Sequence, residues 1–72
     1  MALPLNGVVK RLVKDRGFGF LADHDGTEYF FHRSACLPHH AVFDTLVETD
    51  HVTFEIDSRS QKGPRAMNVQ LT

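Results

Sequence analysis

Seventy-two residues carrying a formal charge of −1 make one small domain, close to the lower size at which an apolar core holds together without metals or disulfides. Apolar residues at 42% and charged residues at 24% exclude a disordered or collagen-like chain. A single cysteine, Cys36, excludes an internal disulfide framework and suits a reducing compartment.

Met1-Ala2-Leu3-Pro4-Leu5 reads as a short tail, lacking both the basic region and the apolar run of a signal peptide. No stretch reaches the length of a membrane span, so a cytoplasmic protein without a membrane partner is expected. Gly7 to Lys14 then reads as a first strand, with Val8-Val9 and Leu12-Val13 as its β-branched and apolar content. Lys14-Asp15-Arg16-Gly17 is a turn, Gly17 to Asp23 a second strand, and His24-Asp25-Gly26-Thr27 a hairpin turn on its Asp-Gly pair. Glu28 to His32 is the third strand. Ser34 is placed to cap a short helical turn over Ala35, Cys36 and Leu37, which Pro38 ends. From Pro38 to about Asp50 neither alternation nor a helical stripe is sustained, and the segment reads as a long surface loop. Val52, Phe54 and Ile56 alternate with Thr53, Glu55 and Asp57 as a half-buried strand. Ser58 to Pro64 is a polar connection, and Ala66 to Leu71 a fifth strand. Five short strands without a long helix imply an all-β fold, a small antiparallel sheet closed on itself so that its edges are protected.

Aromatic residues concentrate in Phe18-Gly19-Phe20 and Tyr29-Phe30-Phe31-His32. Residues two apart in a strand share a face. Phe18, Phe20, Phe30 and His32 therefore line one surface, while Leu21, Tyr29 and Phe31 point the other way. Gly17 and Gly19 leave little bulk beside Phe18, and glycine within a strand marks a bulge or a close approach by a ligand or backbone. Taken alone, the phenylalanines also fit an ordinary core. Charge is segregated as well: Lys10, Arg11, Lys14 and Arg16 cluster early and Arg59, Lys62 and Arg65 late, whereas eight of the nine acids fall between Gly17 and His32 or between Ser34 and Ser58. Segregation this complete is read as a positive rim on an acidic body, with an ordinary solvated charged surface as the competing reading.

In order along the chain, Gly7-Val8-Val9-Lys10, the Gly-Phe-Gly-Phe stretch, Phe30-Phe31-His32-x-Ser34-Ala35, Val52-Thr53-Phe54-Glu55 and Lys62-Gly63-Pro64-Arg65-Ala66-x-Asn68-Val69 resemble the blocks of the cold-shock domain. The resemblance runs from about Asn6 to Thr72. It implies a five-stranded Greek-key barrel of the oligonucleotide-binding class that binds single-stranded RNA or DNA, as an RNA chaperone or a regulator of transcription or translation. The Gly-Phe-Gly-Phe block is also similar to an RNA-recognition-motif signature, but that fold needs two helices for which this chain has no sequence. By resemblance, Phe18, Phe20 and Phe30 are stacking aromatics and His32 a stacking or hydrogen-bonding histidine. Lys10 and Lys62 are basic contacts, and Phe43 in the long loop is a further base-contacting ring, with a hydrophobic plug as its competing reading.

Two departures qualify the resemblance. The family usually carries Trp-Phe where Arg11-Leu12 stands, and a phenylalanine where Arg33 stands. A guanidinium is planar and both stacks on bases and pairs with phosphates, so Arg11 and Arg33 are expected to replace part of the lost ring contact. No nucleophile with its base and no acid pair indicates an enzyme, and no small-molecule substrate or cofactor is implied. Cys36, His39 and His40 do not make a four-ligand metal pattern. The rival reading is a barrel with weakened nucleic-acid binding that serves as a protein-interaction module, its exposed rings forming the contact patch. A monomer or weak homodimer suits either.

Overall fold

The computed structural model describes residues 4–58 and 63–72. Five antiparallel strands, β1 (Leu5–Val13), β2 (Phe18–Asp23), β3 (Glu28–His32), β4 (His51–Ile56) and β5 (Ala66–Leu71), form one sheet in the order β3-β2-β1-β4-β5. The sheet curls until its two ends meet: Phe30 N–H donates to the Pro64 carbonyl at 3.1 Å, and Leu37 N–H donates to that of Val69 at 2.8 Å. Phe30 bridges to Arg65 and Cys36 to Val69. Closure satisfies backbone groups that an open edge would leave free.

The third and fifth strands coincide with the sequence reading, and the hairpin turn forms on Asp25-Gly26 as expected. Asp23 organises that turn, its carboxylate accepting from the N–H groups of Asp25 and Thr27, each at 3.0 Å. The first strand differs from simple alternation. Its register with β2 runs Val8–Ala22, Val9–Leu21 and then Arg11–Phe20, so Lys10 is the extra residue of a β-bulge. A bulge reverses the alternation beyond it. Leu12 thereby packs against the core beside Gly19, while Arg11 and Val13 turn outward. Gly19 is explained by the same crowding: a Cβ there would lie 2.6 Å from the Arg11 carbonyl oxygen and 3.1 Å from the Phe31 ring. Its smallness serves backbone packing, not a ligand. Gly17, at φ +74°, ends the β1–β2 turn in the left-handed region.

Two other expectations are corrected. The short helical turn is a 3-10 turn at Arg33–Ala35, two residues earlier than the turn over Ala35, Cys36 and Leu37 that Ser34 would have capped, and its cap is the His32 side chain. The segment from Pro38 to Asp50 is no free surface loop. It contains a four-residue helix, α1 (Val42–Thr45), and buries Phe43 and Leu46 completely. A single turn is too short to display a 3.6-residue stripe, which is why the sequence reads as irregular.

The core is built from the inward residues of the strands, with Tyr29 against Phe54 at a ring separation of 5.0 Å and Phe31 against Phe43 at 6.0 Å. Burial, followed by the hydrogen bond to Asp23, holds the Tyr29 hydroxyl above its ordinary range. Burial alone pushes the Cys36 thiol up to about 11, so at neutral pH it is an uncharged core group.

Candidate nucleic-acid interface

On the outer surface of the same hairpin, β2 and β3 pair Phe18 with His32 and Phe20 with Phe30. Extending the register to β1 gives two rows across three strands, Val13–Phe18–His32 and Arg11–Phe20–Phe30. The three phenylalanines are half-buried and His32 is exposed. Ring centroids lie 6.0 Å apart for Phe18–Phe20, 5.5 Å for Phe18–Phe30 and 5.9 Å for Phe20–Phe30. The first and third contacts are edge-to-face, at 88° and 74°, the arrangement favoured by aromatic quadrupoles. The rings thus steady one another laterally while each keeps part of its surface in solvent.

His32 has its orientation fixed. Its Nδ1 accepts the Ser34 backbone N–H at 3.1 Å and lies 2.9 Å from Ser34 Oγ. A backbone N–H can only donate, so the neutral ring carries its proton on Nε2. A hydrogen-bond donor is thereby presented beside the rings.

The ring rows are flanked by cations, one of which sequence reasoning missed. The Arg65 guanidinium lies over the Phe30 ring, 5.3 Å from its centroid, a cation–π distance. Arg65 is legible only as one member of a basic cluster, because its place over Phe30 depends on the closure of β3 onto β5. Arg11 stands at the other end of the same row, opposite Phe20, exposed and with no side-chain hydrogen bond or ion pair among the described residues. Lys10 is also exposed, on the bulge.

Two of the other site residues behave differently from expectation. Phe43 is fully buried against Phe31 and is the plug, not a surface ring: it is the buried residue of α1, and Leu46, which caps the end of that helix, is buried in the same core. Arg33 does lie next to His32, but its Nη2 is 3.2 Å from Asp44 Oδ2. Lys14 joins it, donating from Nζ to the Asp44 carbonyl at 2.8 Å and sitting 5.8 Å from the Phe43 ring centroid. Both cations fasten α1 to the barrel. Lys62 lies outside the described residues.

The described residues thus join an outward aromatic surface to a closed five-stranded barrel, the combination that the sequence blocks imply. The sequence profile of the "cold-shock" DNA-binding domain matches residues 5–72. The chain belongs to the cold-shock domain family. It is 43% identical over 65 residues to "Cold shock protein 2" of Lactiplantibacillus plantarum, covering 90% of this chain and 94% of the relative. It is 44% identical over 64 residues to "Cold shock protein 1" of the same organism, covering 89% and 92%. The "Cold shock-like protein CspB" of Escherichia coli is 41% identical over 73 residues, covering 100% of this chain and 99% of the relative. This cold-shock domain is therefore a member of a nucleic-acid-binding family. Among the described residues no helix is long and apolar enough to cross a membrane.

Proposed function

We propose that this cold-shock domain binds single-stranded RNA or DNA in the cytoplasm by stacking bases on Phe18, Phe20 and Phe30, with His32 and Arg11 as adjoining contacts, and so acts as an RNA chaperone or a regulator of transcription or translation. The observation that carries the reading is the outward cluster of three rings at 5.5–6.0 Å separations. Alternate strand positions are about 6.6 Å apart at roughly 3.3 Å per residue, a spacing that successive bases of a stretched strand can match. Each stacked base contributes on the order of 1–3 kcal/mol, and stacking accepts any base because each has a π face. A duplex hides those faces, so the surface favours unpaired segments and holds weak hairpins open without an energy source.

Arg65 gives the stacking surface a second layer at Phe30. A base arriving at that ring either takes the place of the guanidinium or inserts beside it, and the displaced cation remains within reach of the phosphate that follows. Binding of a labelled single strand and of its duplex, followed by fluorescence anisotropy at low and moderate salt, tests the reading. Single strands are expected to bind more tightly, and Phe18→Ala and Phe30→Ala each to weaken binding by roughly 5- to 150-fold. Equal affinity for duplex and single strand, or indifference to both substitutions, would overturn it. Failure to bind any strand would move the rings to a protein-contact role.

A further inference from the structure

The outer face does not end at the ring rows. Two residues beyond Phe20 on β2, the same parity reaches Ala22, which pairs with Glu28 on β3 and with Val8 on β1, while Val8 pairs in turn with His51 on β4. This third row, Glu28–Ala22–Val8–His51, lies one strand repeat from Arg11–Phe20–Phe30, about 6.6 Å further along. Here the surface sinks into a depression of about 230 Å³. Its floor is Gly7, Val8 and Ala22, and Asn6, Lys10 and His51 stand exposed on its rim.

The bulge shapes this hollow. It displaces Lys10 from the regular ladder beside the opening, and Ala22 supplies a methyl group where the two preceding outward positions of β2 supply rings. An apolar floor with a few polar groups around it is the usual form of a small-ligand site, although larger molecules need roughly 300–1,000 Å³. Asp23 and His24 complete the lining. The Asp23 carboxylate is already committed to the Asp25 and Thr27 N–H groups and the Tyr29 hydroxyl. With Asp23, Asp25 and Glu28 at this end of the hairpin, a phosphate is disfavoured inside the hollow, and a neutral flat group suits it.

Resting on the stacking reading above, we infer that the hollow between Val8, Ala22 and His51 is an additional nucleobase subsite, which receives the base one nucleotide beyond those held on the rings. The Asn6 amide and the His51 imidazole reach the edge of that base, each able to donate and accept. Lys10, at the mouth, meets the phosphate leading into it. The bound strand is therefore one nucleotide longer than the ring rows alone would hold.

The test uses the whole chain and oligothymidylates lengthened one nucleotide at a time, with matched strands carrying an abasic residue at one or the other end. Anisotropy should reveal one length step worth about five- to tenfold in affinity, the scale of one stacked base in the lower part of its range. That step should vanish with an abasic residue at one end only, and in the Asn6→Ala/His51→Ala variant, while shorter strands bind wild type and variant equally. Both residues are exposed, and thermal unfolding checks the variant's fold. As a readout without substitution, the His51 ring-proton resonances in wild type should shift with the base-ended strand and not with the abasic one. The subsite is overturned if short strands bind but the variant follows wild type at every length, or if abasic and base-ended strands bind alike. Absence of binding at every length overturns the stacking reading as well, and so is distinct from loss of the subsite alone.

Discussion

The two faces of the β2–β3 hairpin carry the same kind of residue to opposite ends. Phe31 is completely buried against Phe43, and Tyr29 is sealed against Phe54. Phe30, between them in the chain, is only partly buried beside Phe18, Phe20 and Arg65. Residue type does not distinguish them; parity does. A phenylalanine on the inner face stabilises the barrel by area and shape, whereas one on the outer face retains surface that only a ligand can cover.

The largest expected effect separates the two faces directly. Phe31→Ala removes a fully buried ring from a closed core and should lower the unfolding free energy by about 3–5 kcal/mol. Phe30→Ala truncates a ring that is only half-buried and should lower it by clearly less, roughly 1–2 kcal/mol, from its contacts with Phe18 and Phe20. Urea unfolding of the two variants measures the difference. Equal losses would mean that the outer rings are core residues and that the division into faces carries no functional content.

How far these faces could be read in advance depends on what set them. In β2 and β3 the alternation is unbroken, so the inward and outward residues of both strands follow from the sequence. The fate of Arg11 does not follow in that way. Plain alternation from Val9 would put Arg11 inward, and only the bulge at Lys10 turns it out. Val8-Val9 and Leu12-Val13, two apolar pairs out of phase, are the trace that the bulge leaves in the sequence. The place of Arg65 is illegible for another reason, and for Phe43 the sequence offers the buried plug only as one of two readings: one is placed by closure of β3 onto β5, the other by a helix of one turn. Each is fixed by contacts between residues far apart in the chain, which local periodicity does not encode.

The next effect probes how tightly the inner face is sealed. With the folded Cys36 thiol raised from the ordinary 9.0 to about 11, the unfolded chain loses its proton first as pH rises. The folded state then binds more protons, so stability falls with increasing pH. The thiol's contribution is complete below about pH 9 and is lost on the way to pH 11. At about 1.4 kcal/mol for each pH unit between those two values, the loss comes to roughly 3 kcal/mol. Cys36→Ala removes this component, and the difference between the two proteins' unfolding free energies across that range measures it. Identical pH profiles would mean that the space behind β5 admits water freely.

The smallest effect concerns the two arginines that stand where the family usually has rings. Arg33 shares Asp44 at 3.2 Å, with both side chains about half exposed, and such a pair contributes only about 0.2–1 kcal/mol to stability. More important for binding, its charge is already partly balanced. Arg11 has no such partner among the described residues and stands directly opposite Phe20. If each phosphate neutralised on a single strand adds about 0.7 to the slope of log affinity against log salt, Arg11→Ala should reduce that slope by roughly this amount. Arg33→Ala should reduce it by less, while slightly lowering the melting temperature through loss of the α1 contact. Asp44→Ala frees Arg33 and should bring its behaviour toward that of Arg11. A slope that falls equally in both arginine variants would mean that the strand displaces Asp44, and that the binding surface extends past His32 onto α1.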